Sequence, residues 1–143
     1  MTVFNPLPNI YVTNDLTINI QSLIDNKNNI SAIITTSNET GSDINAYIDK
    51  YDISLYNFKL DNGNIDFNGI NQTIYQFLKN NKNVLIYEEN PNISFTIVVS
   101  FYTSNISIPF FQFVHILSKK LEININNIDN NHIEQMFNYY LTH

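Results

Sequence analysis

The sequence predicts an α/β fold in which a mostly parallel sheet of about four to five strands is flanked by helices. Short apolar runs alternate with segments whose apolar residues recur at helical spacing, an order typical of parallel strands joined by crossover helices. The last third of the chain has helical periodicity only. A length of 143 residues with 43% hydrophobic content supports one core, so we expect a single domain over residues 1–143.

Four segments have the composition of strands and are bounded by polar or turn-forming residues. They cover Asn9–Val12, Ile30–Thr35, Ile53–Leu60 and Val84–Tyr87. The second is rich in apolar residues and is expected to be a buried strand, and the fourth is a fully apolar run. The stretch 61–64 reads Asp-Asn-Gly-Asn, which is typical of a loop.

The helical segments follow from apolar residues three and four positions apart. They cover Thr17–Asn26, Ile44–Lys50, Ile70–Leu78, Phe95–Tyr102, Pro109–Leu117 and Ile133–Tyr140. The fourth is apolar nearly all round, which predicts a buried helix. Pro109 suits a first helical turn, and Asn130 or Asn131 is expected to cap the last helix.

Composition excludes several classes of function. The chain has no cysteine, and all its seven basic residues are lysines, so thiolate chemistry and arginine clamps are absent. A net charge of −6 without a lysine cluster argues against nucleic acid as a partner. No apolar run is long enough for a membrane span and no secretory signal is recognised, so a cytoplasmic protein is expected. The 26 asparagines are typical of an AT-rich genome.

Motifs for cofactors and metals are also missing from the pattern. The glycines are isolated and the histidines lack ligand spacing, so we expect no cofactor and no metal. His115 lies among apolar neighbours and is expected to be a half-buried helix residue. Of the Phe110, Phe111 and Phe113 cluster, Phe111 is the ring whose helical position favours exposure.

The order of several segments resembles the dual-specificity protein phosphatase family, including its poxvirus members. The similar segments are 9–15, 30–36, 56–61, 83–87, 107–117 and 123–140, and the resemblance as a whole covers about residues 8 to 141. The resemblance implies the cysteine-dependent phosphatase fold. It also implies a loop of the form H-C-x-x-G-x-x-R-S/T after the last strand, where Tyr87 to Phe95 stand here.

That signature is degenerate in this chain. By the resemblance, Glu88 takes the position of the cysteine nucleophile, Pro91 that of the glycine and Ser94 that of the arginine. Asp61 takes the position of the general acid, although an Asp before Asn-Gly is as readily a turn residue.

The substitutions remove what phosphoryl chemistry requires. A carboxylate is a poor nucleophile, and at 4 Å it would repel a phosphate charge by about 4 kcal/mol at an effective dielectric near 20. Ser94 lacks the guanidinium fork, and Pro91 has no N–H for an anion cradle. These changes predict that cysteine-type catalysis is lost and that phosphate is not bound.

Two interpretations of the loop remain open. Glu88 and Glu89 are solvated carboxylates in a drifted loop, or Glu88 folds into the former anion site and replaces phosphate. The second interpretation predicts that Glu88→Gln lowers the melting temperature. If the loop binds a partner, the residues expected to contact it are Glu88, Glu89, Asn90 and Asn92.

The sequence therefore predicts a pseudophosphatase, which is inactive and acts through contacts with an unknown protein partner. The competing predictions are a structural or virion-associated component of a large DNA virus, located in the host cytoplasm or the virion, and a divergent hydrolase without a cysteine. Because poxvirus enzymes of the resembled family form dimers through an N-terminal helix, the resemblance also raises the expectation of a homodimer, built here through another surface.

Overall fold

A computed structural model describes residues 4–14, 29–37, 42–105 and 108–143 of the chain. The helix expected over Thr17–Asn26 lies outside these residues. No helix among the described segments is long and apolar enough to cross a membrane.

Five strands form one sheet in the order β1-β2-β5-β3-β4. Their bounds are β1 Phe4–Leu7, β2 Ile10–Thr13, β3 Ile30–Thr35, β4 Ser54–Asn57 and β5 Asn83–Tyr87. Strands β2, β5, β3 and β4 run parallel, and β1 pairs with β2 in the antiparallel sense. The predicted α/β class with a mostly parallel sheet is confirmed, and β5 lies at the centre of the sheet.

Five helices are described around this sheet. They are α1 Ser42–Lys50, α2 Phe67–Leu78, α3 Pro91–Asn105, α4 Phe110–Lys120 and α5 Asn130–Thr142, with a 3₁₀ turn at Ile125–Asn127 before α5. The expectation that the segment around Phe95–Tyr102 is buried on all sides is confirmed, because every residue from Ser94 to Phe101 is buried.

Several element boundaries differ from the sequence predictions. Strand β4 is shorter than expected because the chain leaves the sheet after Asn57. The cap of α5 is Asp129 rather than Asn130 or Asn131, since its carboxylate accepts from the N–H of Asn131 at 2.8 Å. Pro109 precedes α4 as its N-cap residue instead of lying in the first turn.

Side-chain alternation along β5 divides the core into two layers. Val84 and Ile86 face the larger cluster, into which α2, α3, α4 and α5 pack. Leu85 and Tyr87 face a smaller cluster on the other side of the sheet, shared with Ile33 of β3. Because both faces of β5 are covered, the residue that follows it emerges at the carboxyl edge of the sheet with little access to solvent.

Candidate functional site

The loop between β5 and α3 connects the centre of the sheet to its most buried helix. Strand β5 ends at Tyr87 and α3 begins at Pro91, so only 88–90 lie between them. The N–H of Glu88 donates to the carbonyl of Thr13 at 3.1 Å, which extends the pairing of β5 with β2 by one residue. Ligands in parallel sheets bind at this edge, at the carboxyl ends of the strands.

The Glu88 side chain turns away from the loop and toward the end of β3. It is 1% exposed. Its carboxylate accepts from the N–H of Thr36 at 3.0 Å through Oε2 and at 3.3 Å through Oε1. The Thr36 hydroxyl donates to both carboxylate oxygens, and the Thr35 hydroxyl lies 3.5 Å from Oε2. The side chain therefore links the carboxyl ends of β5 and β3.

Neither of the two interpretations of Glu88 describes this arrangement completely. The solvated interpretation is wrong for Glu88, which is buried, whereas Glu89 is exposed as that interpretation expects. The anion-site interpretation is right about burial but wrong about the partners. Among the described residues, the donors to the Glu88 carboxylate are Thr35 and Thr36, and none is an amide of the loop or of the α3 N-terminus.

Burial dominates the ionisation of Glu88. Desolvation raises the pKa of its carboxyl above the ordinary value of 4.5. The donors on Thr36 and Thr35 favour the ionised form and oppose that shift, while the charge of nearby Glu89 adds to it. The net direction is upward, so the folded protein favours the protonated, neutral form of Glu88 more than the unfolded chain does.

The amides at the start of α3 are satisfied within the loop itself. The Asn90 side chain accepts from the N–H of Asn92 at 3.0 Å, and the Asn90 carbonyl accepts from the N–H of Ile93 at 3.0 Å. Pro91 has no N–H to offer. The first three positions of α3 therefore present no unpaired amide donor to an incoming anion, although a helix N-terminus would otherwise favour one.

Ser94 and Asn92 are engaged with the protein. Ser94 is buried, and its hydroxyl donates to the carbonyl of Pro91 at 2.9 Å, so it turns back along the helix. The Asn92 amide donates to the carbonyl of Asn127 at 3.2 Å, which joins the loop to the segment before α5. Both side chains are uncharged and already donate to backbone carbonyls, so neither replaces an arginine that would bind phosphate.

Asp61 lies in a turn, as one of its two interpretations expected. Its backbone pairs with Asn64 in both directions, at 3.1 and 2.8 Å. Asn62 and Gly63 have φ angles of 51° and 80°, the left-handed pair that defines a type I′ turn. The Asp61 side chain is exposed, and within the described part of the chain it forms no hydrogen bond with the loop that follows β5.

The predicted site residues are thus only partly brought together. Glu88 and Ser94 are buried, whereas Glu89, Asn90 and Pro91 lie at the surface. In the described ranges, no three His, Asp or Glu side chains form a group that could hold a metal ion.

Sequence reasoning missed the two residues that receive Glu88. Thr35 and Thr36 end an apolar run, and both are buried hydroxyl residues. Thr35 and Thr36 could have been predicted from their position at the carboxyl end of a strand beside β5, because neighbouring parallel strands end at the same edge of the sheet.

Comparison with known proteins shows likeness in structure alone. No family model and no curated protein sequence matches the chain. The crystal structure of DUSP15 is 17% identical, with a TM-score of 0.76 over 96% of this chain and 86% of that one. A leucine rich repeat and phosphatase domain containing protein from Entamoeba histolytica is also 17% identical, with a TM-score of 0.72 over 99% and 92%.

A third similar structure is a human tyrosine phosphatase-like serine/threonine/tyrosine-interacting protein. It is 12% identical to this chain, with a TM-score of 0.67 over 98% of this chain and 96% of that one. Nearly full coverage of both chains extends the likeness to the whole fold. The chain therefore has the fold of the dual-specificity and tyrosine phosphatases.

Proposed function

We propose that this protein is a pseudophosphatase, a phosphatase-fold protein that does not hydrolyse phosphoesters and acts by binding another protein. The observation that carries the proposal is the state of Glu88. At the position of the nucleophile stands a buried carboxylate whose acceptor atoms are occupied by Thr35 and Thr36. A group held in this way has no exposed face from which to attack a substrate.

The rest of the loop supports the same proposal. Phosphoryl transfer needs donors that stabilise charge on the transferred oxygens. Here the helix amides are used by Asn90, and the arginine position carries buried Ser94. Because the chain contains no arginine, no residue of that type can reach the loop from elsewhere.

A binding role is supported by what the fold retains. Apolar clusters cover both faces of the sheet and include residues of β5 and α3 on either side of the loop, so the loop is held on a folded scaffold that could present it to a partner. One protein of the same fold is described as phosphatase-like and interacting. We propose a protein partner on these grounds. A cytoplasmic location and a virion-associated role remain predictions from the sequence.

Anion binding gives a first test of the proposal. Phosphate, sulfate and vanadate should each leave the melting temperature of the whole chain unchanged at millimolar concentration. The amides of Asn92 and Ile93 are already paired, Pro91 has none, and the chain has no arginine to bind these anions. In a matched variant, Glu88→Gln, the buried acid becomes a neutral amide. Its melting temperature should also be unchanged when these anions are added. A rise in melting temperature that saturates with vanadate would contradict the proposal, since it would reveal a working oxyanion site.

Partner capture tests the binding role. The full chain, carrying an affinity tag, is purified from its native cells after mild crosslinking, and co-purifying proteins are quantified. We expect at least one protein at a defined stoichiometry with the chain. Recovery of the chain alone, free of any stoichiometric protein, would count against a binding role.

A further inference from the structure

Helix α4 exposes two regular rows of side chains that are not part of the loop between β5 and α3. Two parallel rows of side chains face solvent, each with members four residues apart. One row is Phe111, His115 and Lys119, and the other is Gln112, Ile116 and Lys120. We call these six residues the α4 stripe. It runs about 12 Å, given the helical rise of 1.5 Å per residue.

The apolar end of the stripe is well anchored. Phe111 is 72% exposed and Ile116 is 53% exposed. The Phe111 ring packs edge-on against Phe110 at 5.3 Å between centroids, and tilted against Phe137 at 5.5 Å. A large exposed ring held by two neighbours loses little freedom on docking, which lowers the entropic cost of an interface.

The basic end of the stripe differs in sign from the molecule as a whole. The chain has 13 acidic residues and a net charge of −6, yet α4 contains Lys119 and Lys120 and no Asp or Glu. Lysines at a helix C-terminus stabilise the helix, but that role does not account for Phe111 and Ile116 on the same face. His115, expected to be half-buried, is exposed between the two ends.

We propose that the α4 stripe docks an acidic, amphipathic segment of a partner protein, with a large apolar side chain on Phe111 and Ile116 and carboxylates toward Lys119 and Lys120. Charge complementarity selects this occupant. An anionic membrane is disfavoured because electrostatic adsorption uses clusters of roughly four to eight basic residues, and this molecule is acidic overall. The inference rests on the proposed function, to which it adds a surface and a partner chemistry.

The position of the stripe separates it from the degenerate loop. In the first turn of α3, the Asn92 side chain donates to the carbonyl of Asn127 in the segment before α5. The stripe lies instead on the outer face of α4, whose inner face is buried through Phe113, Val114 and Leu117. A partner can therefore dock on α4 whether or not the loop takes part.

The test uses the full chain and a phage library of random 16-residue peptides as the probe. Peptides are selected on the wild type, and each binder is then measured by fluorescence anisotropy. The stripe variant is Phe111→Ala/Lys119→Glu. The control is Tyr75→Ala/Lys79→Glu, which changes an exposed aromatic residue near the end of α2 and the exposed lysine that follows that helix.

We expect the selected peptides to carry net negative charge with at least one large apolar residue. Their affinity should fall at least about tenfold in the stripe variant and by less than about twofold in the control. Affinity should also weaken several-fold as salt rises from low to high concentration, because the charges at the rim are screened.

Other outcomes would overturn the inference. These are peptides without an acidic bias, binders unaffected by the stripe variant, or failure to select any binder. Binding to vesicles with 30% phosphatidylserine, lost in the stripe variant, would assign the surface to lipid. A dimeric mass in sedimentation that becomes monomeric in the variant would assign it to a second copy. Binders that survive the stripe variant would leave the proposed protein-binding function intact, whereas phosphatase activity would refute that function alone.

Discussion

Glu88 directly follows the central strand, and its buried environment determines which ionisation state of its carboxyl is favoured. Removing a carboxylate from water costs several kcal/mol unless donors replace the lost hydration. Thr36 supplies an amide and a hydroxyl, and Thr35 a longer hydroxyl contact, so the cost is offset in part. The raised pKa of Glu88 shows that the offset is incomplete. The group therefore stabilises the fold most when it is protonated.

The first prediction concerns Glu88→Gln and pH. The pKa of Glu88 in the folded protein lies above its unfolded value of 4.5, so its contribution to stability is complete below that value. The contribution is lost as pH rises through the folded pKa. Glutamine resembles the neutral acid and does not titrate. The free energy of unfolding of the wild type should therefore fall relative to that of Glu88→Gln as pH rises above about 4.5 and through the folded pKa of Glu88.

Urea denaturation at a series of pH values measures this difference. Thr36→Ser, which keeps both donors to Glu88, serves as the control and should follow the wild-type pH dependence. If the wild type instead gains on Glu88→Gln as pH rises, the ionised carboxylate is the favoured form. Glu88→Gln would then have the lower melting temperature at neutral pH, with Thr35 and Thr36 as the donors that stabilise the charge.

Removing the Glu88 side chain altogether should be costly. Glu88→Ala leaves the Thr36 amide and hydroxyl buried without an acceptor and opens a cavity between β5 and β3. We expect a loss of about 2–4 kcal/mol in the free energy of unfolding at neutral pH. Calorimetry measures it, with exposed Glu89→Ala as the control. A loss in Glu88→Ala no larger than in that control would show that the buried contacts do not stabilise the fold.

At the scale of elements, the N-terminus of α3 is closed by the loop that precedes it. Asn90 supplies both a side-chain and a main-chain acceptor to the first turn. Pro91 follows at the first helical position, where its fixed φ suits the helix. The amides of Asn92 and Ile93 are therefore used to start the helix and are not left for an anion.

The second element is the turn at 61–64, which is fixed to α5 rather than free to move. Gln135 accepts from the N–H of Ile65 at 2.8 Å and donates to the Asn64 side chain at 2.8 Å. His132 Nε2 donates to the carbonyl of Gly63 at 3.0 Å. These contacts hold the segment that carries Asp61 against the last helix.

A prediction follows for Gln135→Ala. Losing two hydrogen bonds should lower the free energy of unfolding by about 1–2 kcal/mol. It should also speed hydrogen exchange at the Ile65 amide, whose acceptor is removed. Exchange measured by NMR tests this. As a control, Asp129→Ala weakens the α5 cap at Asn131 and should leave Ile65 exchange unchanged. Equal protection of Ile65 in the wild type and Gln135→Ala would refute the docking of the turn.

At the scale of the whole molecule, local patterns predicted the layout and missed what depends on tertiary contacts. The runs at Ile30–Thr35 and Val84–Tyr87 are apolar and bounded by polar residues, so both strands could be recognised. Strand β1 could not, because it is a short edge strand that contains Pro6 and pairs on one side only.

The sequence gives no indication of how the Glu88 side chain is arranged. Segment order leads only to the prediction that Glu88, Pro91 and Ser94 take the degenerate positions. The direction of the Glu88 side chain depends on Thr36, 52 residues away along the chain, and no local pattern encodes a contact at that distance. The Asn-Gly pair at 62–63, in contrast, encodes its own turn because both residues accept a positive φ.

Phosphate release measures the central claim most directly. The full chain at micromolar concentration is incubated with an aryl phosphate and with a phosphotyrosine and phosphothreonine peptide, and inorganic phosphate is quantified with and without vanadate. We predict release no faster than in buffer alone, for the wild type and for Glu88→Gln equally. Release above background that vanadate inhibits and Glu88→Gln abolishes would contradict the account, because Glu88 would then take part in catalysis.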